Sequence, residues 1–94
     1  MPKLQKGQWA LVTGASSGIG EHFAYGLAER GLHVVLLGRD EAALQRVATH
    51  IRARYGVQLE VVRCDLTREL EKAIGILQDF DIDLLVNNAG IGVY

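Results

Sequence analysis

The sequence predicts an α/β fold in which crossover helices cover a parallel sheet. Three observations predict it. Four short apolar runs rich in valine and leucine are spaced along the chain, longer amphipathic segments lie between them, and a glycine-rich turn joins the first run to the first such segment. Runs of period two or continuous apolarity alternating with runs of period 3.6 imply parallel strands linked by right-handed helical crossovers.

The first strand is "WALVT", Trp9 to Thr13. Its near-continuous apolarity suits a strand covered on both faces. The first helix follows, with Ile19, Phe23 and Leu27 recurring every four residues beside Ala24 and Ala28, which predicts one apolar face. Gly31 comes where a left-handed cap would end it. "HVVLLG", His33 to Gly38, is the second strand, and Asp40 stands where the next helix needs an N-cap. Leu44, Val47, Ala48, Ile51 and Tyr55 set the buried face of the second helix, with Gly56 as its expected cap. "LEVVRC", Leu59 to Cys64, is the third strand, and Thr67 is the expected N-cap of the third helix. That helix carries a weaker stripe of Leu70, Ala73, Ile74 and Leu77, interrupted by Gly75. "DLLVNN", Asp83 to Asn88, is the fourth strand.

The chain of 94 residues is read as one domain, 1–94, with a modest core. Residues are 49% hydrophobic and 22% charged, with a formal net charge of −1. The basic residues are spread out, so no concentrated positive field for nucleic acid is expected. No apolar run approaches membrane-spanning length, and the first residues lack the apolar core of a signal peptide. With a single cysteine, Cys64, no internal disulfide can form, and the expected setting is the cytoplasm. His22, His33 and His50 show no metal-ligand spacing, so no metal is expected.

The glycines of "TGASSGIG" explain the opening turn. A phosphate needs free backbone N–H groups, the positive end of a helix dipole and close backbone approach that a Cβ would obstruct. Gly14 can make the tight exit from the strand, Gly18 can open the helix, and Gly20 can bring that helix close to the sheet. Ser16 and Ser17 can add hydroxyl donors, and Thr13 can tie the turn to its neighbours. A nucleotide-binding turn in this place gives the strand order 3-2-1-4, the first part of a doubly wound Rossmann-type sheet truncated to four strands.

"TGASSGIG", together with "NNAG" at Asn87 to Gly90 and "CDLT" at Cys64 to Thr67, resembles the short-chain dehydrogenase/reductase family in its smaller form. The resemblance runs through essentially the whole chain. It implies a Rossmann fold and NAD(P)-dependent interconversion of an alcohol and a carbonyl. It also implies that Gly14, Ser16, Ser17, Gly18, Ile19 and Gly20 form the coenzyme turn. By the same resemblance Asp65 lies beside the adenine with Leu66 next to it, Asn87, Ala89 and Gly90 line the cofactor near its ribose, and Asn88 helps hold the central strands. The stretch from Gly38 to Thr67 is similar to family members acting on acyl or steroid-like ketones.

The coenzyme is chosen at the end of the second strand, where an acid binding the ribose 2′-hydroxyl would favour NAD. Gly38 stands there instead, and Arg39 follows, a planar multi-donor cation suited to a 2′-phosphate. NADP is therefore expected. Asp40 keeps NAD as second choice, since a small backbone shift could bring it to the ribose.

In the family a tyrosine and a lysine four residues later transfer the hydroxyl proton, and a serine polarises the carbonyl. No tyrosine here precedes a lysine at that spacing: Tyr25 is followed by Glu29 and Tyr55 by Leu59. No catalytic residue is assigned. The chain reads as the cofactor-binding N-terminal part of a longer reductase whose substrate is a small carbonyl or alcohol. Its fourth strand would be an apolar edge able to pair with a second copy, so a homo-oligomer is expected. The alternative is a nucleotide-binding or self-assembling fragment without turnover. A nucleotide-sugar epimerase would need T-G-x-x-G-x-x-G, which is not present.

Overall fold

A computed structural model describes residues 5–16 and 18–88. The order is β1 (Trp9–Thr13), α1 (Gly18–Glu29), β2 (His33–Gly38), α2 (Glu41–Arg54), β3 (Leu59–Arg63), α3 (Leu70–Asp79) and β4 (Leu84–Val86). The strands form one sheet in the order β3-β2-β1-β4. Every pairing is parallel, with Leu11 opposite Val35 on one side and Leu85 on the other. The predicted class and strand order are those observed. The third and fourth strands are shorter than their apolar runs, ending at Arg63 and Val86.

Alternation along the strands divides the core into two layers. Ala10, Val12, Val34 and Leu36 face α1 and α2, where they meet Ala24, Leu27, Ala28, Leu44, Val47 and Ile51. Leu11, Val35 and Leu37 face the other way, onto Cys64 and the α3 residues Ala73 and Ile76. Each fully buried leucine or isoleucine contributes about 2 kcal/mol by removal from water. The central strands β1 and β2 are therefore buried almost throughout, as their continuous apolarity predicts.

The outer strands depart from that expectation. Glu60 and Arg63 of β3 are exposed, and Leu85 of β4 is 49% exposed. A strand paired on one side and lying near the margin of its helical cover alternates rather than disappearing into the core. The helical stripes are also rotated from their predicted positions. In α1 the buried set is Gly20, Ala24, Leu27 and Ala28, while Ile19 and Phe23 are exposed. In α3, Ala73 and Ile76 are buried and Leu70 and Ile74 are exposed. In α1 the buried residues other than Leu27 are all small, which lets the helix axis come close to the sheet.

The caps follow local hydrogen bonding. Asp40 caps α2 by accepting the Ala43 N–H at 3.1 Å. Gly31, at φ +86°, ends α1 with its own N–H on the Ala28 carbonyl and the Leu32 N–H on that of Leu27, the Schellman pair of bonds. Two expectations fail. α2 leaves through Tyr55 in an extended conformation, with its N–H on Ile51 O, so Gly56 has no left-handed cap to make. Glu69, not Thr67, is the N-cap residue of α3, because Thr67 is spent in a turn on Asp65. Among the described residues, no helix is long and apolar enough to cross a membrane.

Candidate functional site

All four strands are parallel, so their C-terminal ends share one edge of the sheet. The residues that follow them meet there: Gly14 to Ser16 after β1, Arg39 after β2, Asp65 after β3 and Asn87 after β4. Strand order reverses beside β1, with β2 and β3 to one side and β4 to the other. This is the switch point at which open α/β sheets form a ligand crevice. Thr13, 3% exposed, ties its two walls together. Its hydroxyl accepts the Asn88 N–H at 2.8 Å and donates to Asn87 Oδ1 at 3.0 Å.

The glycines of the turn do different jobs. Gly14 and Gly18 lie at φ +61° and +60°, in the left-handed region that side chains disfavour. Among the described residues, a Cβ on Gly18 would meet nothing within 4 Å, so none of them closes the start of α1. A Cβ on Gly20 would fall 2.2 Å from Gly14 O and 2.8 Å from Asn88 Nδ2. Gly20 therefore sets how closely α1 approaches the strand exit and the end of β4. Open space before a helix N-terminus, reached through left-handed glycines, fits a phosphate group. Ile19, 65% exposed, stands beside this opening. Ser17, Ala89 and Gly90 lie outside the described residues.

Past β2, Arg39 is exposed and its charge helps hold the Asp65 carboxyl below the usual carboxylate range. The larger causes of that shift are the Thr67 hydroxyl at 2.6 Å and the Thr67 N–H at 3.0 Å, both on Asp65 Oδ1. Asp65 is thus an anion fixed within its own turn, and Leu66 behind it packs on the second core layer. A Cβ at Gly38 would sit 3.3 Å from Leu44 Cδ2, so glycine there serves packing as well as leaving room at the edge. The Asp40 carboxylate is occupied in its cap. Cys64 is buried, and burial pushes its thiol pKa up, away from thiolate chemistry.

Sequence reasoning missed one cluster beside the turn. Tyr25 donates to Glu21 Oε2 at 2.5 Å within α1, and Arg46 of α2 reaches both carboxylate oxygens of Glu21 at 3.3 and 3.4 Å. The same guanidinium donates to the Ser16 carbonyl at 3.2 Å. Burial and the adjoining carboxylate push the Tyr25 hydroxyl up to about 12, the opposite of what a proton-transferring tyrosine needs. Only the i,i+4 spacing of Glu21 and Tyr25 was visible in the sequence; the contact across two helices was not. His50 packs against the Tyr25 ring at 4.3 Å, and His33 Nδ1 accepts the Gln58 N–H, so both have structural roles. Among the described residues no group of His, Cys, Asp or Glu could hold a metal ion.

Beside the crevice, α1 and β4 enclose an open groove of about 530 Å³ lined by Ile19, Phe23, Leu27, Arg30, Leu84 and Val86.

Comparison with known proteins gives a consistent picture. A family model described as short chain dehydrogenase matches residues 8–94. A very-long-chain 3-oxoacyl-CoA reductase of Debaryomyces hansenii is 41% identical over 90 residues, covering 92% of this chain and 26% of the relative. The inactive hydroxysteroid dehydrogenase-like protein 1 of Homo sapiens is also 41% identical, over 93% of this chain and 27% of its own length. Among solved structures, a metagenomic short-chain oxidoreductase in complex with NADP superposes with a TM-score of 0.80 at 42% identity, over 94% of this chain and 41% of the other. An NAD+-bound xylitol dehydrogenase gives 0.82 at 36% identity, over 95% and 35%. The chain spans about a quarter of the length of the curated relatives it matches.

Proposed function

The chain belongs to the short-chain dehydrogenase family, and we propose that it is the coenzyme-binding portion of an NADP-dependent oxidoreductase that interconverts alcohols and carbonyls. One observation carries this reading: the glycine turn, Arg39, Asp65 and Asn87 each follow the C-terminal end of a parallel strand, along one edge of the sheet. The amides of residues 14–20 and the N-terminus of α1 bind the pyrophosphate. Asp65 and Leu66 border the adenine, and Asn87 with Ala89 and Gly90 borders the ribose nearer the nicotinamide. Arg39 receives the 2′-phosphate as a charge-assisted pair. The nicotinamide, when bound, supplies or accepts the hydride. Proton transfer in the family belongs to a Ser and a Tyr-x-x-x-Lys, a spacing these 94 residues do not contain.

The preference for NADP rests on Gly38 and Arg39, since structural neighbours include both an NADP complex and an NAD+ complex. Acyl or steroid-like ketones are the proposed substrate class, in keeping with the relatives' names. The buried lone cysteine suits a cytoplasmic setting. Matched titrations test the coenzyme assignment. NADPH should bind about tenfold tighter than NADH, the value of one charge-assisted hydrogen bond, and Arg39→Ala should remove that gap. Equal affinities in the unsubstituted protein would refute NADP selection by Arg39.

A second reading, a nucleotide-binding or self-assembling fragment without turnover, is favoured by the exposed apolar face of β4 and by the missing Tyr-x-x-x-Lys spacing. One relative is itself called inactive.

A further inference from the structure

We propose that Arg46 is a positioning residue for the coenzyme turn, acting through Glu21 and the Ser16 carbonyl. This rests on the dinucleotide-binding reading given above. The turn between β1 and α1 contains left-handed glycines at 14 and 18, residues that lose much conformational freedom on ordering. The sheet fixes where the turn begins, and the contact of Gly20 with Gly14 O fixes where the helix lies. Ala15 is held too, buried and with its N–H on the Leu37 carbonyl, which leaves Ser16.

Arg46 holds Ser16 from a different element. Its Nη2 donates to Ser16 O at 3.2 Å and to Glu21 Oε1 at 3.3 Å, while Nη1 donates to Glu21 Oε2 at 3.4 Å. One planar fork thus joins α2, the turn and the first turn of α1. The guanidinium therefore fixes the direction of the Ser16 carbonyl, on the way into α1, before any phosphate arrives. The Tyr25 hydroxyl also donates to Glu21 Oε2, so the acceptor is fixed as well.

The side chain of Arg46 is 60% exposed. Pairs that open to solvent add little to stability, so the strap's value lies in orientation and its removal should leave the fold intact. Arg46 also differs from Arg39 in what it acts on. Arg39 belongs to the 2′-phosphate and distinguishes the two coenzymes, whereas an oriented turn serves the pyrophosphate common to both.

The test uses Arg46→Ala and the conservative Arg46→Lys in the full protein, with NADPH and NADH as probes. Arg46→Ala should weaken both about tenfold with their ratio unchanged, as expected for loss of a charge-assisted contact, and the thermal midpoint should barely move. Arg46→Lys keeps the charge without the fork and should recover only part of the loss. Without nucleotide, the amide order parameters of Gly18 and Ile19 measured by NMR relaxation should fall in Arg46→Ala. Unchanged order parameters there overturn the proposal whatever the nucleotide does. A loss confined to NADPH would make Arg46 a phosphate ligand and overturn it too. If the unsubstituted protein bound neither dinucleotide, the coenzyme reading itself would fail; lower order parameters in Arg46→Ala would then still establish that the strap orders the turn.

Discussion

Gly20 shows how a single missing methyl can set a site's geometry. A Cβ there would lie 2.2 Å from the Gly14 carbonyl, which is backbone and has nowhere to go. Gly20→Ala should therefore push α1 off the strand exit, and chemical denaturation should register a loss of about 2 kcal/mol, in the range of overpacked cores. The same substitution at Gly26, where a Cβ meets nothing within 4 Å, should be neutral or slightly stabilising in that assay. The role of Gly20 was legible in the sequence because strand exit and helix entry need their glycines at fixed spacing. Arg46 was not legible, because its partners Glu21 and Ser16 lie 25 and 30 residues away and periodicity cannot report a contact between two helices.

Among elements, the strands and their order were the most readable part. A run such as "HVVLLG" has one apolar residue after another, and only a central strand of a parallel sheet can use both faces. The helical stripes were less readable. Hydropathy favours Ile19 and Phe23 over Ala24 and Ala28, yet the tight packing of α1 on the sheet selects the small residues. Gly56 and Thr67 misled for a related reason: cap residues are common, and a cap forms only where the outgoing chain needs one.

The packing of α1 beside α2 has a pH dependence that follows from Glu21. The Tyr25 hydroxyl first, then the Arg46 guanidinium, hold its carboxyl below the ordinary range, with His22 adding a smaller pull in the same direction. A depressed folded-state pKa stabilises the fold above the unfolded value near 4.5, and that contribution disappears as pH falls through the folded value. The stability difference between the unsubstituted protein and Glu21→Gln should hence be constant above about pH 5.5 and shrink on acidification. Urea titrations across that range measure it, and a difference that grew toward low pH would contradict the assignment.

For the molecule as a whole, exposed apolar side chains lie on α3 and at β4 with the adjoining groove, and the latter group bears on assembly. Leu85 on one face, and Ile19 and Phe23 over the groove on the other, are each about half exposed or more. Natural sheets seldom leave such margins bare. If the bare margin drives self-association, sedimentation over a concentration series should show a growing dimer fraction, and Leu85→Lys should suppress it. A strictly monomeric species at every concentration would remove the self-assembly reading and leave the coenzyme reading untouched.

The bond from Thr13 to Asn87 joins residues 74 apart in sequence. Most of the chain must be in place before it can form, whereas β1 and β2 need close only the short crossover through α1. Late pairings across large sequence separations are the slow steps of folding. The glycine turn closes a local crossover while its opposite wall is joined to it from far along the chain, by the Thr13 hydroxyl and by the parallel pairing of β1 with β4. A ligand gripping both halves binds the folded chain alone, and so stabilises it against unfolding by mass action.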